Sequence, residues 1–191
     1  NLAIAAEIFG VSQSTVSRRF DALREVIDAV LAEFVLSPAE IAGNSTVLVD
    51  GTLVPTWDWR HRHDLFSGKH HDTGFNLQIA ATLGGISSRS VRRVPGSRHD
   101  VSCWQAGGLA ARLAGLDRLG DLGYVGVEML TGHKKPPGGE LTDNQKQVNK
   151  TFCIRAAVER AISHLKNWKI LSSRYRGPLD KFSSVVRTVV A

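Results

Sequence analysis

Apolar residues follow two rhythms along this chain, and the change from one to the other divides it. In residues 1–34 the spacing is helical. Leu2, Ala5, Ile8 and Phe9 share a face, Gly10 interrupts it, and Phe20, Leu23, Ile27, Val30, Leu31 and Phe34 resume it. Ser12 stands just before the second run, where its hydroxyl can accept from the free amides of a first turn, so a new helix is expected from about Gln13. Ser37-Pro38 and Gly43-Asn44-Ser45 read as a linker. From Thr46 the rhythm shortens. Residues 46–54 form a nearly continuous β-branched apolar run, predicting a buried strand that only Asp50-Gly51 interrupts. Residues 55–72 look loop-like. Phe75, Leu77, Ile79, Ala81 and Leu83 alternate with Asn76, Gln78 and Thr82, which predicts a half-buried strand. Gly84-Gly85 predicts a hairpin turn and 86–94 its partner strand. Residues 101–113 read as helix, weakened at Gly107-Gly108, and 117–124 as a short strand or turn around Asp121. Thr142 with Gln145 is a capping box, opening one long helix to about Trp168. Gly177-Pro178 breaks the chain before a last helix.

Strands first, then a helix, is an α/β layout, and it gathers distant carboxylates at one sheet edge. Asp50 sits inside the apolar strand, where an ionised carboxylate is costly unless paired or metal-bound. Asp121 lies between Gly120 and Leu122-Gly123-Tyr124. On the long helix, Arg155, Glu159 and Lys166 are four and seven residues apart, steps that keep them on one face at about 100° per residue. A carboxylate between two cations on one stripe suits phosphodiester chemistry, with Glu159 facing a divalent metal and Arg155 and Lys166 facing phosphate. The plainer reading is a surface Arg155–Glu159 pair worth a few tenths of a kcal/mol. Two-metal phosphoryl transfer needs several clustered carboxylates, and Asp50, Asp121 and Glu159 are the best three. Asp100 competes with Asp121 as second ligand, and His99-Asp100 could instead form a hydrogen-bonding unit behind the metal ligands.

The 191 residues are 42% apolar, enough for one domain with a small appendage. A net charge of +6 and a pI near 9.7 favour a polyanionic partner. Helix, Gly, Val-Ser, helix is a helix-turn-helix pattern, with Gln13, Ser14, Thr15, Ser17 and Arg18 at the start of the recognition helix; a plain helical hairpin packed on the main domain is the alternative. Cys103 and Cys153 lack CxxC spacing, so neither zinc nor a disulfide framework is expected from them. His61, His63, His70, His71 and His99 have spacings a metal could use but no sensible third ligand. Trp57 or Trp59 in the basic loop could stack on an unpaired base or pack in the core. Arg89, Arg92, Arg93, Lys134, Lys135, Arg174 and Arg176 are candidate phosphate contacts or a solvated face. No GxSxG elbow supports Ser-His-Asp hydrolysis. With no signal peptide or long apolar run, a cytosolic, soluble protein is expected. The chain lacks an initial Met and ends on an apolar run, so both ends are expected to be cut from a longer protein.

Five segments in order carry a resemblance: Val49-Asp50-Gly51-Thr52, Phe66-Ser67-Gly68-Lys69-His70, Pro95-Gly96-Ser97-Arg98-His99-Asp100, Gly120-Asp121-Leu122-Gly123-Tyr124 and Val158-Glu159-Arg160. Together they resemble the DDE transposases, closest to bacterial insertion-sequence transposases and their Harbinger-like relatives. The wider group's helix signature is Tyr-x2-Arg-x3-Glu-x6-Lys; Arg155, Glu159 and Lys166 match it, and Phe152 replaces the tyrosine. The resemblance covers roughly residues 46–180, and residues 1–34 resemble the family's amino-terminal helix-turn-helix.

The resemblance implies a ribonuclease-H-like mixed sheet flanked by helices. It implies a partial helix-turn-helix over 1–36, a linker over 37–45 and a catalytic domain over 46–191. It assigns Asp50, Asp121 and Glu159 as catalytic metal ligands for Mg²⁺, with Mn²⁺ able to substitute. His99, Asp100 and Tyr124 support them, while Arg155, Lys166, Gln13, Ser14, Thr15 and Arg18 meet DNA. The implied activity is cleavage of transposon ends and joining of a 3′-hydroxyl to double-stranded target DNA by a homodimer or larger assembly near the nucleoid. The alternatives are an inactive or domesticated remnant that binds DNA, and a metal-dependent nuclease not tied to transposition.

Overall fold

The computed structural model describes residues 2–34, 46–57, 61–82, 85–89 and 93–190; the expected linker over 37–45, and Asp58, Trp59, Gly84 and Arg92, lie outside the described residues. The elements run α1 (Leu2–Phe9), α2 (Gln13–Leu31), β1 (Thr46–Pro55), β2 (Phe66–Ser67), β3 (Asp72–Thr82), β4 (Gly85–Arg89), β5 (Val94–Pro95), α3 (Asp100–Gly107), α4 (Leu109–Arg112), β6 (Asp117–Gly120), β7 (Leu130–Thr131), α5 (Asp143–Thr151), α6 (Ala156–Lys166), α7 (Lys169–Ser172) and α8 (Phe182–Val190).

The β-branched run of β1 becomes the central strand. It pairs antiparallel with β3 on one side, with Asp50 opposite Ile79 and Gly51 opposite Gln78. On the other side it pairs parallel with β6, Leu48 opposite Leu119. The spatial order is β2-β3-β1-β6-β7, with β4 and β5 also paired to β3. This mixed sheet, antiparallel through β4-β3-β1 and parallel through β1-β6-β7, with helices on its faces, is the ribonuclease-H-like α/β fold that the resemblance implied. The parallel β1–β6 pair requires a crossover, and α3 and α4 fall in the chain that supplies it.

The pleat sorts the strand residues onto two cores. Leu48 and Val54 of β1, with Phe75, Leu77, Ile79 and Ala81 of β3, pack against Val158, Ala161 and Leu165 of α6, Leu171 of α7 and Phe182 and Val186 of α8. Val47, Val49 and Ala80 face the other way, against Trp104, Leu109, Leu113 and Tyr124. Each fully buried Val or Leu contributes about 1.5–3 kcal/mol, so β1 is the strand on which both layers depend.

Two expectations need correction. The alternating strand is not half-buried: Gln78 and Thr82 are buried along with their apolar neighbours, because helices cover both faces of the sheet. The helix expected from 142 to about 168 is interrupted. Its capping box is present, Gln145 N–H donating to Thr142 Oγ1 and Thr142 N–H to Gln145 Oε1. Between α5 and α6, however, a 3₁₀ turn spans Phe152–Arg155. The tighter winding accompanies the packing of Phe152 and Ile154 against the sheet core.

At the amino end, Gly10 turns the chain at φ 61° and Ser12 caps α2, accepting from Thr15 N–H at 3.1 Å. The helical stripe is formed but not covered: Phe9, Phe20, Leu23 and Val30 are exposed among the described residues. The helical pair meets the rest of the chain at α8 and the 3₁₀ turn before it (Leu179–Lys181): Lys181 Nζ of the turn lies 2.7 Å from Asp21 Oδ2, and the Thr188 hydroxyl of α8 donates to Asp28. Among the described residues no helix is long and apolar enough to cross a membrane.

Candidate active site

The parallel register of β1 and β6 is the reason that two acids seventy-one residues apart become neighbours. Leu48 pairs with Leu119, and Asp50 and Asp121 each lie two residues further along (48 + 2 and 119 + 2). The pleat turns Asp50 to the same side as Leu48 and Val54, toward α6. There Arg155 Nη2 lies 3.5 Å from Asp50 Oδ2, while Asp50 Oδ1 accepts from Gly51 N–H at 2.8 Å. Burial pushes the Asp50 carboxyl above the ordinary carboxylate value. The Gly51 amide, the Arg155 guanidinium and Lys69 oppose the shift, and the charge of Asp121 reinforces it. The strand acid flagged by its cost is therefore paired, and its partner is Arg155. The surface Arg155–Glu159 pair considered from the sequence does not form; Arg155, sited in the 3₁₀ turn, reaches under the sheet edge instead.

Asp121 follows β6 and caps the turn Leu122–Tyr124, accepting from Gly123 N–H at 2.8 Å. Gly123 is a point of convergence: a Cβ there would stand 2.9 Å from both Asp121 Oδ1 and Asp100 Oδ2. Asp100, at the start of α3, reaches the same region from the other face. A Cβ at Gly51 would lie 2.9 Å from Asp100 Oδ1, and Lys69 Nζ lies 3.5 Å from Asp100 Oδ2. Tyr124 is buried among these acids. Burial raises its phenol above the ordinary value, and the charges of Asp100, Asp50 and Asp121 add to the shift. Its ring meets Trp104 edge-on with centroids 6.4 Å apart.

Gln78 is the residue that pattern reading missed. Its place in an alternating strand marked it as solvent-facing, yet it is 1% exposed. Its Nε2 donates to Tyr124 Oη at 3.1 Å and to the Asp100 carbonyl at 3.0 Å. It thus ties β3 to α3 and to the turn after β6, behind the acids. Nothing in its local pattern signals this; its place opposite Gly51, next to the strand acid, appears only in the register of β1 and β3.

Glu159 lies in α6, which packs on β1 and β3, and its side chain is exposed. Among the described residues no ion pair engages its carboxylate. Burial lowers the His70 imidazole below its ordinary value, and the charges of Lys69 and of Lys166, in the last turn of α6, add to the shift while Asp100 opposes it. His99 caps α3 without a side-chain hydrogen bond to its amides. Gln13, Ser14 and Arg18 are exposed on the first turns of α2, and Thr15 is half-buried. Of the other candidate phosphate contacts, Arg93 donates to the Leu179 carbonyl, Arg174 pairs with Asp72 at 3.0 Å, and Arg176 lies 4.0 Å over the Trp57 ring.

The donor chemistry fits a hard divalent cation. Asp50 and Asp121 supply carboxylate oxygens, the ligands Mg²⁺ prefers, and their mutual repulsion is of the kind a bound cation relieves. As they are placed, no three His, Cys, Asp or Glu side chains among the described residues stand close enough to hold a metal together; Arg155 supplies the positive charge at Asp50. A site assembled from Asp50, Asp121 and water needs Glu159 to come in from α6.

The mixed sheet with helices on its faces defines the ribonuclease-H-like α/β class, and on it Asp50, inside β1, lies beside Asp121, which directly follows β6. The chain belongs to the DDE superfamily endonuclease family, whose profile matches residues 49–191. It is 30% identical over 174 residues to a Streptomyces albus G protein named "Putative transposase for insertion sequence element IS112", a match covering 87% of this chain and 62% of that protein. The chain therefore spans less than two thirds of that relative's length. No solved structure matches it significantly.

Proposed function

We propose that the chain carries the catalytic domain of an insertion-sequence transposase, cleaving DNA at element ends and joining the 3′-hydroxyl to target DNA with a divalent metal. The observation that supports this most is the proximity of Asp50 and Asp121, each two residues beyond the parallel Leu48–Leu119 pair and near enough that the charge of Asp121 acts on Asp50. Asp50, Asp121 and Glu159 would hold the metal. When bound, Mg²⁺ neutralises charge on the phosphate and makes a bound water or hydroxyl more acidic. Arg155 then moves from counter-ion of Asp50 to partner of the phosphate, since a guanidinium donates in a fork that matches phosphate oxygens. Lys69 and Lys166 add positive charge around the acids and favour a polyanion. Gln78 and Tyr124 hold the Asp100 and Asp121 segments in place.

In the same reading, α1 and α2 are the helix-turn-helix that places Gln13, Ser14, Thr15 and Arg18 on DNA, and two or more copies act together at paired ends. Nicking of supercoiled plasmid DNA in Mg²⁺ tests the catalytic part. Asp50→Asn and Glu159→Gln should each lower the rate on the order of a thousandfold, several kcal/mol of transition-state stabilisation, with DNA binding nearly unchanged. Cleavage that survives both substitutions contradicts the assignment.

A further inference from the structure

On the opposite side of Gly51 from Asp50 lies a cavity of about 170 Å³. Two loops enclose it, one following β2 and one leading into α3. The first contributes Ser67, Lys69 and His70, the second Ser97, Arg98 and His99. All six side chains carry polar groups able to donate hydrogen bonds, and two of them are permanent cations. Asp100 and Asn76 stand at the inner wall. Asp100 is the one carboxylate, and Lys69 Nζ at 3.5 Å partly offsets it. Among the described residues no ion pair engages Arg98, so the cavity has a cation to spare.

The enclosing backbone is fixed before any ligand arrives. Gly96 N–H donates to the Gly74 carbonyl at 2.9 Å, Ser97 N–H to the Asp64 carbonyl at 3.3 Å, and Cys103 N–H to the His99 carbonyl at 2.9 Å. The space also depends on a missing side chain: a Cβ at Gly51 would lie 2.9 Å from Asp100 Oδ1 and 3.3 Å from Asn76 Oδ1. Pockets that take drug-sized molecules are about 300–1,000 Å³. At about 170 Å³, this one admits a tetrahedral oxyanion with its adjoining carbons, not a whole nucleotide. Its wall shares Gly51 with the acid strand, so an oxyanion here sits one backbone step from the carboxylates.

We propose that this cavity holds a phosphate of the DNA strand adjacent to the phosphate attacked at Asp50 and Asp121. The proposal rests on the reading of those acids as the cleavage site. Lys69 and Arg98 supply the charge, and the Ser67 and Ser97 hydroxyls and the His70 and His99 imidazoles complete the donors. Fixing one phosphate sets the register of its neighbour against the acids.

The test is a titration of the full chain in metal-free buffer with thymidine 3′,5′-bisphosphate, and separately with inorganic phosphate, following the His70 and His99 imidazole protons by NMR. Saturable shifts at both histidines with the bisphosphate are expected, and binding at least tenfold weaker for inorganic phosphate. Lys69→Gln and Arg98→Gln should each weaken the bisphosphate about tenfold, the scale of one charge-assisted hydrogen bond. Both side chains are exposed, and either variant carries the test if the other fails to fold. Histidine resonances that do not move overturn the proposal, as do variants that bind like the parent or inorganic phosphate that binds as tightly as the bisphosphate. None of these readouts needs cleavage, so failure of the pocket and failure of the acid assignment are told apart.

Discussion

Gln78 shows how much one side chain holds at this site. Its Nε2 joins Tyr124 Oη and the Asp100 carbonyl, so Gln78→Leu leaves two acceptors behind the acids without their donor. A buried polar group left unpaired costs about 1–3 kcal/mol, and urea unfolding of that variant should show a loss of this size. Asp50 gives the opposite sign. Its folded-state carboxyl is raised mainly by burial, so it contributes stability only when protonated, and that contribution is lost as pH rises through the carboxylate range. In buffer without divalent ions, Asp50→Asn should therefore be more thermostable than the parent at neutral pH, and the difference should vanish below about pH 4, where the unfolded carboxyl also protonates. Adding Mg²⁺ should raise the melting temperature of the parent but not of the variant, because a ligand that binds only the native state stabilises it. A melting difference that is flat with pH would show that burial does not disfavour the Asp50 charge.

At the scale of elements, the strands and caps are legible in the pattern and their covering is not. Residues 46–54 announce β1, Ser12 and Thr142 announce two helix starts, and all three form as read. Gln78 and Thr82 mislead because alternation reports on one face of a strand, while burial of the other depends on α3 and α4, far away in the chain. The α5–α6 break mislead in the same way: nothing local stops a helix at Phe152, and the packing of Phe152 and Ile154 on the sheet wins. The site followed suit. Asp50 stood out because a carboxylate in an apolar strand needs a partner, but its partner Arg155 is visible only once the 3₁₀ turn is in place. The loop before α3 offers a direct check on close packing. A Cβ at Gly96 would lie 2.7 Å from the Leu65 carbonyl and 2.8 Å from the Gly74 carbonyl. Backbone atoms cannot swing aside, so Gly96→Ala should destabilise the fold by about 1–3 kcal/mol, read as a lowered urea midpoint.

For the whole molecule, charge and layout point the same way. A net charge of +6 favours association with DNA through phosphate contacts, which makes binding salt-dependent. If α2 lies on DNA, Arg18→Ala should weaken binding to all sequences alike and lower the slope of log K against log salt by about 0.9, one phosphate contact; an unchanged slope would remove Arg18 from the interface. The exposed stripe of α1 and α2 leaves that helical pair tied to the rest through α8 and the turn before it, at Asp28–Thr188 and Asp21–Lys181.

The central claim is that Asp50 and Asp121 hold a divalent metal with Glu159. Anomalous scattering from crystals soaked in Mn²⁺ tests it most directly, because it needs neither a known DNA end nor turnover. Manganese between Asp50 and Asp121, with Glu159 drawn in from α6 and Arg155 displaced from Asp50, is the predicted result. Manganese bound at Asp100 without Asp121, or no manganese at these acids at saturating concentration, would contradict it.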